Sequence, residues 1–121
     1  MTEKKALLGI DYGEKFSGLA FSPDGIIVFP LEVVGTGLLL QRVKELAEQK
    51  NCSKIILGLP ISSDGSENHI CEQIRSVATL LTIFAPVEFI NERYSTQFAE
   101  GPKNKRLDDL AAAKILEYYL G

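Results

Sequence analysis

The hydrophobic period first changes near residue 38, and that change restricts the available folds more than any other feature. Ahead of it lie three short apolar runs separated by turn residues. Ala6 to Ile10 breaks off in Asp11-Tyr12-Gly13, Ser17 to Ser22 in Pro23-Asp24-Gly25, and Ile26 to Val34 carries Pro30 in its middle. Runs of this length bounded by Gly, Pro and Asp predict strands, and turns this short join antiparallel neighbours. Pro30 cannot donate to a ladder, which assigns the third strand to an edge.

Beyond the change, Leu39, Val43, Leu46 and Ala47 recur at helical spacing, with Gln41, Lys44, Glu45 and Glu48 between them. That pattern predicts an amphipathic helix ending at Asn51. A strand over Lys54 to Leu57 follows, closed by Gly58-Leu59-Pro60, and the loop Ile61 to Glu67 offers Ser66 as an N-cap. Ile70, Ile74, Val77, Ala78 and Leu81 mark a second helix, and Pro86 to Ile90 a fifth strand. A shorter helical piece fits Ser95 to Glu100. The last helix runs from about Leu107 to Leu120, with Ala111-Ala112-Ala113 as strong helix formers. The order β-β-β-α-β-α-β-α implies an α/β fold with a mixed five-stranded sheet flanked by helices. An antiparallel three-strand meander would adjoin two parallel strands reached by right-handed crossovers. A length of 121 residues suits a single domain, 1–121, with a core of its own.

Thirteen Lys and Arg against sixteen Asp and Glu give a net charge of −3, which excludes a wholly basic nucleic-acid coat but leaves room for a local basic patch. Cys52 and Cys71 match no metal-ligand spacing. The start Met1-Thr2-Glu3-Lys4-Lys5 leads into no signal-peptide pattern, so the cysteines read as reduced thiols of a cytoplasmic protein. No segment reaches the ~18 consecutive apolar residues of a membrane span, and no membrane partner is expected. His69 reads as a solvated surface residue. Ser62, Ser63 and Ser66 lack the histidine–acid pairing of a nucleophilic serine. Tyr118 and Tyr119 read as packing residues, and Gly35 and Gly37 as a loop without the Gly-Lys-Ser/Thr of a phosphate cradle.

Three acids fall at element ends: Asp11 after the first strand, Glu92 after the fifth, and Asp108 at the start of the last helix. If the first, fourth and fifth strands are parallel neighbours, their C-terminal ends share the sheet edge where open α/β sheets place their sites. Carboxylates gathered there would repel, by about 4 kcal/mol for charges ~4 Å apart at an effective dielectric of about 20. A divalent cation would remove that cost, and oxygen-only ligands suit Mg2+ or Mn2+. Each acid also has a plainer role. Asp11 can shape a turn with Tyr12-Gly13, Glu92 can pair with Arg93 at the surface, and Asp108 or Asp109 can cap a helix. Helical spacing does not choose between Asp108 and Asp109.

Four segments, in order along nearly the whole chain, resemble the YqgF (RuvX) family. Gly9-Ile10-Asp11-Tyr12-Gly13-Glu14-Lys15-Phe16-Ser17-Gly18-Leu19-Ala20 is similar to its opening motif. Gly58-Leu59-Pro60 with Asp64-Gly65-Ser66-Glu67 resembles its Gly-Leu-Pro…Asp-Gly segment. Asn91-Glu92-Arg93-Tyr94-Ser95-Thr96 resembles its Asp-Glu-Arg-Leu-Thr-Thr block, with Asn91 where the family has Asp. Leu107-Asp108-Asp109-Leu110-Ala111-Ala112 resembles its closing Ile-Asp-x-x-Ala-Ala helix, after a stretch from Gln97 to Arg106 that is shorter than the family's.

The resemblance implies a ribonuclease H-like fold and a nuclease that hydrolyses phosphodiester bonds with Mg2+ or Mn2+. It implies Asp11, Glu92 and Asp108 as the catalytic, metal-binding set, selecting Asp108 over Asp109. Lys15, Arg93, Lys103, Lys105 and Arg106 would hold backbone phosphates. The implied substrates are structured RNA, at the 5′ end of pre-16S rRNA in ribosome biogenesis, or branched DNA, as in a Holliday junction resolvase. Asn91 and the shortened stretch leave open a catalytically silent nucleic-acid-binding module. The acting species would be a monomer or a homodimer. An actin-like or sugar-kinase ATPase, suggested by the Asp-x-Gly turn, would need two such domains to clasp its nucleotide.

Overall fold

The computed structural model describes residues 5–62, 64–91 and 105–121, with the backbone alone over 105–109. Its strands are β1 (Leu7–Asp11), β2 (Phe16–Ser22), β3 (Phe29–Gly35), β4 (Lys54–Leu59) and β5 (Val87–Asn91). Its helices are α1 (Leu39–Lys50), α2 (His69–Leu81) and α3 (Lys105–Leu120), and a 3-10 turn over Thr36–Leu38 leads into α1. The sheet order is β3-β2-β1-β4-β5, antiparallel across β3-β2-β1 and parallel across β1-β4-β5. This is the mixed sheet that the change of period predicts.

Among the described residues β3 pairs only with β2, and Pro30 stands in it at the edge, beside a shift of register between Leu19 and Ala20. The strand begins three residues later than the sequence suggests. Asp24 accepts from the backbone N–H of Ile26 and Ile27 at 2.8 and 2.9 Å, so both residues stay in the turn and are exposed.

Asn51 ends α1 in the left-handed conformation, with φ at 52°. The N-cap of α2 is Asn68, not Ser66: its side chain accepts from Ile70 and Cys71 N–H. Ser66 is already committed to the preceding loop, where its N–H donates to Asp64 Oδ1 at 2.9 Å and its carbonyl accepts from Ser62. β4 runs on to Leu59, and α3 starts at Lys105 rather than Leu107. The expected helical piece over Ser95 to Glu100 lies outside the described residues.

Alternation along the strands divides the core in two. Leu8, Ile10, Leu19, Ile55, Leu57 and Leu59 face α1 and α2, where they meet Val43, Leu46, Ile74 and Leu81. Leu7, Ala20 and Ile56 face α3 and meet Ala112, Ala113, Ile115 and Leu116. Period-2 alternation puts Gly9 and Asp11 on this second face as well. Among the described residues, no helix is long and apolar enough to cross a membrane.

Candidate functional site

Asp11 is the last residue of β1 and is 4% exposed. Its Oδ1 is buried and has no hydrogen-bond partner among the described residues. A buried carboxylate oxygen without a donor is costly, and native structures keep one where water, a cation or a reacting group satisfies it. A hard divalent cation with oxygen ligands fits that atom.

Asp11 sits at the end of β1, the central strand of the five-stranded sheet and the one at which its parallel part begins. Ile10 is level with Leu57, and Leu57 with Phe89, so β1, β4 and β5 end on one sheet edge. The direction of α3 follows from its contacts. Near its C-terminus, Tyr119 accepts a hydrogen bond from Lys54 Nζ at 3.2 Å and donates one to Glu88. Lys54 is level with Leu7, at the start of β1. One and two turns earlier in α3, Leu116 and Ala112 cross Gly9. The helix therefore runs antiparallel to β1, and its first turn comes to the edge where β1 ends.

Gly9 sets how close that helix comes. A Cβ on Gly9 would lie 2.6 Å from Leu116 Cγ and 3.1 Å from the Ala112 carbonyl oxygen. Glycine in a strand interior often marks such an approach, and here it allows a helix to lie almost on the strand backbone.

The turn after Asp11 is equally constrained. A Cβ on Gly13 would meet the Phe16 carbonyl oxygen at 2.2 Å. Gly13 N–H donates to Ser17 Oγ at 3.2 Å, Thr36 Oγ1 donates to the Gly13 carbonyl at 2.6 Å, and the two hydroxyls lie 2.8 Å apart. Thr36 N–H donates to the Lys15 carbonyl at 2.9 Å. Tyr12 is half-buried against the α1/α2 core and its hydroxyl donates to Gln73 at 3.3 Å. Ser17 and Thr36 escape a reading of the sequence, since partners 19 and 23 residues apart leave no local pattern.

The remaining expected site residues are located less fully. Lys15 is exposed on the turn that follows Asp11. Asp108, Lys105 and Arg106 fall in the first turn of α3, where only the backbone is described. Glu92, Arg93 and Lys103 lie outside the described residues; Asn91, the last residue of β5, immediately precedes Glu92. No cluster of three or more metal-ligating side chains occurs among the described residues, which include neither Glu92 nor the side chain of Asp108. A hollow of about 470 Å3 lined by Gly25, Ile26, Val28, Glu117, Leu120 and Gly121 opens at the opposite sheet edge, away from Asp11.

Other side chains keep their structural roles. Cys52 and Cys71 are free and buried, and burial pushes the Cys52 thiol up to about 11, which leaves it un-ionised near neutrality. His69 is exposed at the first position of α2, and Tyr119 packs against the α3-side core.

Known proteins match this arrangement at the level of family and of fold. A "Putative pre-16S rRNA nuclease" of Dictyoglomus thermophilum is 37% identical over 106 residues, covering 78% of this chain and 72% of its own length. A protein of the same name from Maridesulfovibrio salexigens is 33% identical over 130 residues, covering 94% of this chain and 96% of its own. The Thermus thermophilus RuvC structure in complex with a Holliday junction substrate superposes with a TM-score of 0.61. That superposition covers 94% of this chain and 92% of RuvC at 16% identity, a likeness of fold. The family model RuvX, described as Holliday junction resolvase, matches residues 5–121. With the sheet order, the buried acid at the end of β1 and these relatives in agreement, the chain belongs to the RuvX family.

Proposed function

We propose that this chain is a divalent-metal-dependent nuclease of the cytoplasm, acting as a single domain on structured RNA in the 5′-end maturation of pre-16S rRNA. The observation that carries the reading is the buried Asp11 Oδ1 at the C-terminal end of β1, which has no hydrogen-bond partner among the described residues. Two curated relatives of at least 33% identity that carry the pre-16S rRNA nuclease name support the substrate class.

In this reading Asp11, Glu92 and Asp108 hold Mg2+ or Mn2+. A metal bound there supplies an activated water and charge stabilisation at the leaving oxygen of an in-line displacement. The protein's part is to hold the carboxylates in place before the substrate arrives. β1, β4 and β5 end together, and α3 brings its first turn to the same edge. Burial of Asp11 keeps competing water away from one ligand position. Lys15, on the neighbouring turn, takes a backbone phosphate together with Arg93, Lys103, Lys105 and Arg106, which orients the strand without reading its bases. The overall charge of −3 confines this attraction to the local patch.

The RuvX model's description favours a second reading, a resolvase acting on branched DNA. One experiment tests both. The protein is incubated with a precursor 16S rRNA transcript and with a four-way DNA junction, each with Mg2+ or Mn2+, alongside Asp11→Asn. Cleavage of the RNA, abolished by chelator and by the substitution, is expected. Cleavage of the junction alone supports the second reading, and cutting that persists in Asp11→Asn refutes the assigned site.

A further inference from the structure

We propose that Ser17 and Thr36 are positioning residues that close a ring of hydrogen bonds through the Gly13 peptide and so fix the turn joining Asp11 to Lys15. Counting the protons gives the ring its direction. Thr36 Oγ1 lies 2.6 Å from the Gly13 carbonyl, which can only accept, so the Thr36 hydroxyl proton is spent there. The 2.8 Å contact between the hydroxyls is then donated by Ser17. Ser17 Oγ in turn accepts the Gly13 N–H at 3.2 Å. The circuit runs from Gly13 N–H to Ser17, from Ser17 to Thr36, and from Thr36 back to the Gly13 carbonyl. The alternative bond from Ser17 to the Gly13 carbonyl is long, at 3.5 Å, and is not needed.

Every donor in such a circuit polarises the next, and Ser17 is fully buried, so water does not compete for its bonds. The ring grips the turn from two sides. Ser17 belongs to β2, the strand the turn leads into, whereas Thr36 begins the 3-10 turn that leads into α1. The Thr36 N–H bond to the Lys15 carbonyl adds a second tie at the far end of the turn. Gly13 is needed because the tight turn leaves no space for a Cβ against the Phe16 carbonyl. Asp11 stands two residues before the gripped peptide and Lys15 two residues after it. The ring therefore determines where a metal-ligating carboxylate and a phosphate-holding ammonium stand relative to each other.

The catalytic part of this inference rests on the nuclease reading; the ring itself does not. The test uses the full chain as wild type, Thr36→Val (same shape, no hydroxyl), Thr36→Ser (hydroxyl kept), Ser17→Ala and Asp11→Asn. Gly13 amide exchange is measured by NMR, and kcat and KM for precursor rRNA cleavage with Mn2+ are measured well below each variant's melting transition. Gly13 exchange is expected to quicken roughly tenfold in Ser17→Ala and Thr36→Val, as for loss of one buried hydrogen bond, and to return in Thr36→Ser. In the same two variants kcat falls roughly 10- to 100-fold with KM unchanged, the usual loss when a supporting hydrogen bond behind a metal ligand is removed, and Thr36→Ser restores it. Wild-type kcat in Thr36→Val, or an equal loss in Thr36→Ser, overturns the positioning role. If wild type does not cleave, the nuclease reading fails, and if Asp11→Asn cleaves like wild type, the assigned site fails; in either case the ring is judged on exchange alone. Unchanged Gly13 exchange in both Ser17→Ala and Thr36→Val overturns the ring.

Discussion

Against one face of the sheet, α1 and α2 pack Leu39, Val43, Leu46, Ile74 and Leu81 into the branched side chains of the strands; against the other, α3 brings Ala112 and Ala113 down onto Gly9 and Ala20. The first face is thick, with large side chains interlocking from two helices. The second is thin, and small residues let one helix lie close to the central strand. Asp11 faces the thin side. A helix resting on strand backbone can bring its first turn to within reach of a strand-end carboxylate, which a thick layer of leucines would hold apart. The thick face supplies most of the apolar burial, and the thin face supplies the geometry of the edge.

The largest separation between the two roles is expected for Asp11→Asn. Losing one charged ligand position should lower cleavage by roughly 10²-fold or more, measured as kcat/KM on precursor rRNA with Mn2+. Stability should move the other way or not at all. In metal-free buffer the substitution replaces a carboxyl group whose buried Oδ1 has no hydrogen-bond partner among the described residues, so its urea midpoint should equal or exceed that of the wild type. A variant both inactive and markedly less stable would show that Asp11 serves the fold and not a site.

Leu57→Ala probes the thick face. Leu57 is fully buried among α1- and α2-facing residues, and truncation leaves a cavity that costs about 2–5 kcal/mol in urea unfolding. Cleavage by the fraction still folded should fall far less than in Asp11→Asn, because the cavity opens on the α1/α2 side of the sheet, opposite the face that carries Asp11. A loss of kcat comparable to that of Asp11→Asn would erase the distinction between the faces.

Much of this division is legible in the residues before any coordinates. The continuous apolar run from Ala6 to Ile10 reads as a buried strand, the helical spacing of Leu39, Val43 and Leu46 as an amphipathic helix, and the order of elements puts helices on the sheet faces. Pro30 forecast the edge, and Asn51 the end of α1. Two misreadings, the start of β3 and the cap of α2, share one cause: a polar side chain bonds to nearby backbone. Asp24 holds Ile26 and Ile27 out of β3, and Asn68 caps α2 because Ser66 is used by its own loop. Within the site, Asp11 can be read as the acid ending a buried strand. The choice of Asp108 over Asp109 came from family resemblance, since both positions fit one helix. The Ser17–Thr36 ring could not be read at all, because its partners meet only after β2 and β3 have paired.

Gly9→Ala tests the thin face from the opposite direction, by adding volume. The new methyl would press on Leu116 Cγ and on the Ala112 carbonyl. Overpacking of this kind costs about 1–3 kcal/mol in urea unfolding and should also lower cleavage by lifting α3. Leu116→Ala alone leaves a cavity, but in Gly9→Ala/Leu116→Ala the added methyl occupies part of it. The double variant should be more stable than the two single losses summed, with a coupling of about 0.5–3 kcal/mol. Simple additivity would mean that Gly9 is not what sets the helix height. The Ala112 carbonyl, 3.1 Å from the added carbon, is backbone and keeps the rescue incomplete.

The smallest expected effect lies at the solvated rim of the thick face, where Arg75 binds Glu67 through two hydrogen bonds of 2.8 and 2.6 Å and lies over the Phe89 ring. The Arg75 guanidinium holds the Glu67 carboxyl below the ordinary value of 4.5. A depressed folded-state value means that the pair's contribution is fully present above about pH 4.5 and is lost as pH falls through the folded value. Because the pair is exposed, water and salt screen it, and its effect on unfolding should be slight. Following the Glu67 side-chain carboxyl by NMR, the wild-type midpoint should sit below 4.5 and return toward it in Arg75→Gln. Cleavage near neutral pH should be unchanged, since among the described residues neither side chain of this exposed pair is bonded to Asp11 or to the turn that follows it. A wild-type midpoint at 4.5 would show the pair to be too loosely held to tether the loop before α2, and a cleavage defect in Arg75→Gln would extend the working part of the molecule onto the face assigned here to stability alone.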